Sequence, residues 1–297
     1  MINRDHLISG QNNAEAILWS LGGTALFSLL FVSAKFFGSG ALIWQILFFR
    51  YLIGFFIMAG TAWFSPWERK VSPRWHLHLM RALVGGAAGS AAIYAAAKIP
   101  VADAAAIGLL DGVIGVLLGM WIFRELVSGH RWLAIIFCLI GAGIVVFGKG
   151  AFQGVSFLYF PMLVAFIGAF FGAFESVLIR TLASREDRIT VLIHVNFFGA
   201  LLFSIPAFLT WGETETITKL SFCFLGPIAL IGQYCNIRAF QVAELSIVAP
   251  VAYSWIIFAA VIGFFVFDEP LSLLTVGGSA LILLGGFLLV QSPEKTG

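Results

Sequence analysis

Ten stretches of predominantly apolar residues, each about as long as a bilayer is thick, divide this chain. A helix needs about 20 such residues to cross the ~30 Å hydrocarbon core, because it rises about 1.5 Å per residue. The stretches lie at 15–36, 41–64, 77–97, 102–123, 131–148, 155–180, 189–211, 220–241, 246–267 and 272–290. Barrel strands would alternate polar and apolar residues, which these stretches do not. The sequence therefore predicts an all-α polytopic membrane protein with ten transmembrane helices.

Composition excludes an ordinary soluble fold. Hydrophobic residues make up 60% of the chain and charged residues 11%, whereas soluble domains carry about 25% charged residues. The mean hydropathy of +1.00 agrees. A formal net charge of only +2 gives no basis for binding nucleic acid. The expected partners are the lipid bilayer and a small-molecule substrate, and the pattern leaves a monomer and a homodimer both open.

Basic residues near the ends of the predicted spans indicate the orientation. If the amino terminus is cytoplasmic, the cytoplasmic ends carry Arg4, Arg69, Lys70, Arg74, Arg81, Arg124, Arg131, Arg180, Arg185, Arg188 and Lys295. The opposite ends then carry only Lys35, Lys98, Lys149 and Lys219. Because Lys and Arg favour the cytoplasmic side, we expect both termini in the cytoplasm and a multi-pass protein of the cell (inner) membrane. The first span has no small-residue cleavage site, so it is predicted to be retained.

The chain also repeats itself with a constant offset: Gly263 lies 144 residues after Gly119, and Glu269 lies 144 residues after Glu125. Each half holds five predicted spans, and an odd number inverts the second half relative to the first. Inverted repeats of this kind build secondary transporters with a site near the midplane. The predicted organisation is a cytoplasmic tail (1–14), a first five-helix repeat (15–148), a second five-helix repeat (155–290) and a tail (291–297).

Three segments carry recognisable motifs: LFFRYLIG (47–54), YAAAKIPVADAAAIG (94–108) with FRE (123–125), and VAPVAYSWIIFAAVIGFFVFDEP (248–270). With these motifs, nearly the whole chain resembles the EamA-type carriers of the drug/metabolite transporter superfamily. The resemblance implies ten helices in two inverted repeats and transport of a small metabolite: an amino acid, a nucleotide-like cofactor, a vitamin or a metallophore. Related proteins usually carry a proline near the middle of the fourth span, where this chain has Asp111 and Gly112.

Asp111 interrupts the apolar run AIGLLDGVIGVLLGMWIF (106–123) near the middle of a predicted span. A charge there costs from a few to ~10 kcal/mol, so it usually faces a cavity or a partner. Binding a cationic substrate group and carrying a proton both fit, and a protonated or Arg-paired structural Asp is the alternative. Beside it runs a stripe that allows close helix packing, formed by Gly108, Gly112, Gly115 and Gly119.

The other candidate residues for substrate binding or coupling are polar or aromatic groups inside predicted spans. They are Arg50, Tyr94, Glu175, Gln233, Tyr234, Arg238, Tyr253 and Trp255. The resemblance implies that Arg50 is the family's usual Arg, and pairing with an acid is favoured over substrate contact. For the polar group of the eighth span, cavity lining and interhelical hydrogen bonding both stay open. Trp255 lies 144 residues after Asp111, so the repeat places it at the equivalent position. An aromatic ring opposite a carboxylate would suit a cationic or amphipathic ligand.

The predicted function is a secondary transporter that works without ATP. It moves a small metabolite, an amino acid or another zwitterionic or cationic compound, across the inner membrane by alternating access, with export favoured. The alternative is an uptake or exchange carrier for a nucleoside-type cofactor or vitamin resembling S-adenosylmethionine or riboflavin. An intramembrane hydrolase built on Ser90 and His194 would leave the repeat unexplained. We expect no catalytic residue, metal site or cofactor, because no phosphate-binding loop or paired acidic motif is present.

Overall fold

The computed structural model describes residues 12–37, 43–64, 72–98, 107–148, 159–211, 216–267 and 272–291. Within them, helix occupies part or all of every predicted stretch. The helices are α1 Asn13–Phe37, α2 Ile43–Phe64, α3 Trp75–Lys98, α4 Leu110–Ile122, α5 Gly129–Gly148, α6 Tyr159–Ala183, α7 Arg188–Leu209, α8 Thr216–Val242, α9 Leu245–Val251, α10 Trp255–Phe267 and α11 Leu273–Val290. A 3-10 turn over Ala252–Ser254 joins α9 to α10, so these two helices fill the ninth stretch. The all-α prediction is confirmed.

Six helical segments of the described chain are long and apolar enough to cross a membrane. They are Ile43–Phe64, Gly129–Gly148, Phe160–Ala183, Arg188–Leu209, Leu245–Val266 and Leu273–Val290. By contrast, α4 has 13 residues and is about 20 Å long, which is shorter than the ~30 Å hydrocarbon core. The protein is therefore a multi-pass membrane protein. The predicted tails beyond 12–291 and Glu269 of the sequence repeat lie outside the described residues.

The helices pack in neighbouring pairs: α1 lies against α8, α2 against α7, α3 against α6, and α5 against α11. Successive spans run in opposite directions, so α1, α3, α5, α7 and α9 begin at the same end of the bundle, which we call the near end. Hydrogen bonds between the start of one of these helices and the end of a neighbouring helix identify the near end. The Arg238 Nε atom donates to the Glu15 Oε1 atom at 2.9 Å, which joins the end of α8 to the start of α1.

Glycines allow α5 and α11 to touch backbone to backbone. A Cβ atom on Gly285 would lie 2.8 Å from the Ala134 carbonyl oxygen, and one on Gly141 would lie 2.6 Å from the Gly278 carbonyl oxygen. The Cys138 thiol donates to the Ile282 carbonyl at 3.7 Å. Lipid gives helices little hydrophobic reason to associate, so such close contact between small residues is what holds the pair together.

A polar cluster at the near end ties the connection between α6 and α7 to the start of α3. Glu186 accepts hydrogen bonds from the Ser72 hydroxyl at 2.5 Å and the Arg74 guanidinium at 3.4 Å, and its other oxygen lies 2.8 Å from His78 Nε2. Burial opposes ionisation of Glu186, but the hydrogen bonds from Ser72, His78 and Arg74 outweigh it and lower the pKa of its carboxyl. The His194 Nε2 atom accepts the Ser72 backbone N–H at 3.3 Å.

We expect Gly285→Ala to destabilise the protein and Gly286→Ala to leave it unchanged or slightly more stable. The added methyl at Gly285 would overlap the backbone of α5, whereas nothing lies within 4 Å at Gly286. Overpacking of this kind costs about 1–3 kcal/mol, against a gain of about 1 kcal/mol in helix propensity common to both changes. Melting temperatures in detergent measure the difference, and equal values would contradict backbone contact between α5 and α11.

The Glu186 cluster predicts a specific acid response. The ionised carboxylate contributes its full stabilisation above the ordinary glutamate pKa of 4.5. That contribution is lost as the pH falls through the lower pKa of the folded protein, because the unfolded chain then binds more protons. We expect the wild type to melt above Glu186→Gln near neutral pH and this gap to narrow below about pH 4.5. If the difference in melting temperature between the two proteins did not change with pH, the charge of Glu186 would contribute nothing to stability.

Candidate substrate site

Two interruptions in helical structure meet near the middle of the bundle. Helix is interrupted at Leu109, just before α4, and again at the 3-10 turn that contains Tyr253. The Tyr253 hydroxyl donates to the Leu109 carbonyl at 2.8 Å. The neighbouring Ser254 hydroxyl lies 2.9 Å from the Thr24 hydroxyl, at the centre of α1. Hydrogen bonds between spans therefore hold both interruptions in place.

The predicted glycine stripe on α4 is the surface on which α9 and the 3-10 turn lie. A Cβ atom on Gly112 would fall 2.6 Å from Cζ of the Tyr253 ring, so the bare backbone makes room for that ring. Further along, a Cβ atom on Gly115 would meet Ala249 at 3.6 Å, and one on Gly119 would meet Leu245 at 3.3 Å. The stripe is thus a packing surface, as predicted, with Asp111 on its edge.

Asp111 lies in the first turn of α4, and its carboxylate points at the middle of α6. A Cβ atom on Gly172 would lie 2.7 Å from Asp111 Oδ2, so the carboxylate rests against bare backbone. The side chain of Asp111 is partly buried and receives no hydrogen bond from the residues the structure describes. The carboxyl group of Glu175 and the phenol of Tyr253 lie within electrostatic range of Asp111. Within the described ranges, the predicted mid-bundle acid therefore has no hydrogen-bond donor.

Glu175 lies one turn beyond Gly172 on the same face of α6. Its carboxylate covers Gly85 of α3, where a Cβ atom would lie 2.5 Å from Oε1 and 2.7 Å from Oε2. Arg180, five residues further along α6, donates to the Phe240 carbonyl. The nearest cation is Arg81, whose Nε atom lies 4.0 Å from Glu175 Oε1, and 28% of the Glu175 side chain is exposed. Glu175 is therefore only loosely paired.

Arg81 is the central residue that the sequence reasoning missed. It lies in α3 and is 2% exposed, yet its Nε and Nη1 atoms have no hydrogen-bond partner among the described residues. In the sequence it follows a polar connection and was counted with the basic residues that set orientation. Arg81 lies four residues before Gly85, so both lie on the face of α3 that contacts Glu175. This spacing was the sequence signal that could have identified Arg81 as a central residue.

Arg50 and Tyr51 complete the central group from α2. The Arg50 guanidinium carbon lies 4.9 Å from the centroid of the Tyr51 ring and 5.7 Å from that of Phe27. Its Nε atom is buried without a hydrogen-bond partner in the described part of the chain. The charges of Arg50, Arg81 and Glu175 all act on Tyr51. The acceptor that the sequence predicted for Arg50 is thus nearby but not bonded to it.

The polar group of α8 is engaged with other helices rather than gathered with Asp111. Gln233 is buried and accepts a hydrogen bond from the Asn196 amide at 3.1 Å. The Tyr234 hydroxyl accepts from Arg188 at 2.5 Å. Arg238 binds Glu15 at the near end. Of the two readings left open by the sequence, these contacts correspond to interhelical hydrogen bonding.

Two aromatic candidates pack against other apolar side chains. Tyr94 is in the last turns of α3, with its ring centroid 6.4 Å from that of Phe160 in an edge-to-face contact. Trp255 packs with Leu139 and Ile257 against a buried cluster between α5 and α11. The aromatic side chain within electrostatic range of Asp111 is Tyr253, two residues before Trp255.

A second buried polar group closes the near end between α4, α5 and α9. The Glu125 carboxylate accepts the backbone N–H groups of Leu245 and Ser246, each at 2.9 Å, so it caps the start of α9. Arg131 forms a buried ion pair with Glu244 and lies 3.4 Å from the Ser246 hydroxyl. A left-handed backbone at Arg124, with φ of 54°, turns the chain back after α4.

Comparison with known proteins gives a family. The sequence model of the EamA-like transporter family matches residues 14–147 and again residues 159–291. Because these matches cover most of the chain, the protein belongs to the EamA-like transporter family. The predicted resemblance is confirmed, and the family is one of transporters rather than enzymes.

Individual relatives agree on transport and differ in cargo. An S-adenosylmethionine uptake transporter of Rickettsia bellii is 22% identical over 93% of this chain and 96% of its own length. The pseudopaline exporter CntI of Pseudomonas aeruginosa is 27% identical over 84% of this chain and 87% of its own length. A solved crystal structure superimposes with a TM-score of 0.77 at 18% identity, over 92% of this chain and 97% of that one, which shows the fold.

We expect Tyr253→Phe to destabilise the protein, because it leaves the buried Leu109 carbonyl without its donor. Hydrogen bonds between transmembrane helices contribute about 0.5–2 kcal/mol. Tyr94→Phe is the matched control, since the Tyr94 hydroxyl has no hydrogen-bond partner among the described residues. Melting curves of both variants in detergent measure the effect. Equal melting temperatures would show that the bond between the two helix interruptions adds no stability.

Proposed function

We propose that this member of the EamA-like transporter family is a secondary transporter of a small zwitterionic metabolite, an amino acid or a compound that contains one. It moves this substrate across the inner membrane by alternating access, without ATP. The observation that carries the proposal is the central group of four charged side chains, which make no hydrogen bond to one another within the described chain: Arg50, Arg81, Asp111 and Glu175.

Proteins retain buried charged side chains where these are well paired or where they have a function. Removing an ion from water costs several kcal/mol, and a partner repays this only with good geometry and further hydrogen bonds. The nearest approach within the central group is the 4.0 Å separation of Arg81 and Glu175, which is too long for a hydrogen bond. The group therefore supports a site that a charged ligand or water completes. Its equal number of acids and bases favours a ligand with both charges.

The packing supports two inverted repeats related by exchange of equivalent helices. The exchange takes α1 to α6, α2 to α7, α3 to α8, α4 to α9 and α10, and α5 to α11. If the repeats are real, each helix contact must have an equivalent under this exchange. The equivalent of the α3–α6 contact is α8–α1, and the equivalent of the α2–α8 contact is α7–α3. All four contacts are present. Two separate matches to one family model, at 14–147 and 159–291, support the same division.

Individual contacts support the exchange at the offset of 144 residues. Tyr253 bonds to Leu109, and Cys138 bonds to Ile282, so residues 144 apart touch each other. Residues that touch their own equivalents lie on a two-fold axis. An axis through α4, α5, α9 and α11 suits two halves that rock against each other around a midplane site.

The near-end group supports a gate in its closed position. Glu125 and Arg131 belong to the first half, whereas Glu244, Leu245 and Ser246 belong to the second, and the bonds between them cross the boundary. Opening this end requires breaking these bonds together. We propose that the near end faces the cytoplasm, which agrees with the predicted excess of Lys and Arg there.

Export is the direction that we propose, since the pseudopaline exporter has the higher identity of the two transporters described above, 27% over 84% of this chain against 22% over 93%. The competing candidate is uptake of a nucleoside-type cofactor, favoured by the relative that takes up S-adenosylmethionine. That compound also carries an amino acid head group, so the central charges suit it as well. The two candidates differ in cargo and direction but not in the site.

Counterflow in proteoliposomes tests the function. Vesicles loaded with an unlabelled pool of amino acids, vitamins and nucleoside-type cofactors receive each labelled compound outside. We expect one zwitterionic class to accumulate transiently. Asp111→Asn is expected to lower the initial rate at least about tenfold, because charged hydrogen bonds contribute about 1.5–3 kcal/mol. Vesicles oriented with the near end inside or outside then give the preferred direction.

Asp187→Asn is the matched control. It removes a carboxylate from the exposed connection before α7, and asparagine still caps that helix through the Thr190 N–H. Its transport rate should equal that of the wild type. Transport by Asp111→Asn at the wild-type rate would make Asp111 structural. Accumulation of no compound from the pool by the wild type would overturn the transporter assignment of this site.

A further inference from the structure

We propose that Arg81 and the two acids Glu175 and Asp111 form a receptor for an α-amino acid head group. Arg81 binds the carboxylate of the ligand, and Glu175 and Asp111 bind its ammonium group. This inference rests on the proposed transport function and specifies which chemical group of the substrate each side chain recognises.

The guanidinium of Arg81 is the first part of the case. The residue is 2% exposed, and both Nε and Nη1 are buried without an acceptor among the described residues. An arginine has five N–H donors and no acceptor, so a buried one needs anionic or carbonyl oxygens around it. Each of the two vacant donor atoms can donate a charge-assisted hydrogen bond to an oxygen of a ligand carboxylate.

Three other arginines of this protein have partners that fit a structural role. Arg131 is buried to the same degree as Arg81, at 2% exposure, but it forms a hydrogen-bonded ion pair with Glu244. Arg238 donates twice to Glu15, at 2.5 and 2.9 Å. Arg180 donates to the Phe240 carbonyl. Arg81 differs from all three, because its acid lies 4.0 Å away and its Nε and Nη1 atoms have no acceptor in the described part of the chain.

Glycines make room for the acidic side of the receptor. Gly85 and Gly172 let the carboxylates of Glu175 and Asp111 lie against bare backbone. Neither carboxylate accepts a hydrogen bond from the described residues, and 28% of the Glu175 side chain is exposed. The two acids lie within electrostatic range of each other, and an ammonium group has three donors with which to pair with more than one acid.

The spacing selects the ligand. Arg81 and Glu175 are 4.0 Å apart at their nearest atoms, so the two charges of one ligand can reach both only if they are close together. An ammonium and a carboxylate on the same carbon meet this condition, whereas a long diamine or a dicarboxylate does not. The site therefore fits the α-amino acid head group, and Arg50, whose charge also acts on Glu175, contributes positive charge nearby.

Matched probes test the assignment on purified full-length protein in detergent. The probes are L-alanine, L-methionine and L-phenylalanine, the amide of each, which lacks the carboxylate, and the 2-hydroxy acid of each, which lacks the ammonium group. The readout is the concentration that gives the half-maximal rise in melting temperature. In the wild type we expect at least one amino acid to bind about tenfold or more tightly than its amide and its hydroxy acid.

The variants separate recognition from folding. Arg81→Gln should weaken binding of the amino acid to the level of its amide and leave binding of the amide unchanged. Arg81→Lys should keep part of the preference for the amino acid over its amide. Asp111→Asn should instead remove the preference over the hydroxy acid. Arg185→Gln, an exposed arginine at the near end, is the control and should match the wild type. Ligand-free melting temperatures show whether each variant is folded.

Three results would overturn the inference: equal binding of amino acid and amide by the wild type, an undiminished preference in a folded Arg81 variant, or no stabilisation by any of the nine probes. The last result differs from failure of the proposed function. Counterflow of a vitamin or cofactor without an amino acid head group would still establish a transporter whose Arg81 has another role.

Discussion

The absence of water in the hydrocarbon core is the constraint on which this structure depends. No solvent can pair with a peptide group there, so each segment must satisfy its backbone within itself, and helix is the local solution. Departures from regular helix are then confined to places where other parts of the protein cover the backbone. The turn at Leu109 is such a place, since the Tyr253 hydroxyl donates to its carbonyl. Irregular backbone and a contact between distant parts of the chain occur together there.

The same solvent explains why glycine, rather than large apolar residues, fills the contacts between helices. Leucine gains nothing by leaving lipid for protein, so close approach and dispersion decide which faces meet. The α5–α11 contact at Gly141 and Gly285 follows this rule. On α6 and α3, however, the space beside glycine holds a carboxylate instead of a helix. The small residues that bring helices together elsewhere here make room for Asp111 and Glu175.

How much the sequence predicts follows from what each signal measures. Apolar length reports burial in lipid, so the positions of the helices were predictable. A lone acid in an apolar run is conspicuous, which is why Asp111 and Glu175 were recognised. Arg81 was not, because an arginine close to a polar connection looks like an anchor at the membrane surface. The partners of Tyr234 and Arg238 come from distant helices, and spacing along one helix carries no information about them.

The balance of charge in the central group has an electrical consequence. Two arginines and two carboxylates sum to zero when all four are ionised. Each uncompensated elementary charge that crosses the bilayer does work of about 2.3 kcal/mol per 100 mV. A zwitterionic ligand adds no net charge to four ionised side chains, so at the proposed site the empty and the loaded forms would carry the same net charge and neither would do this work as it reorients.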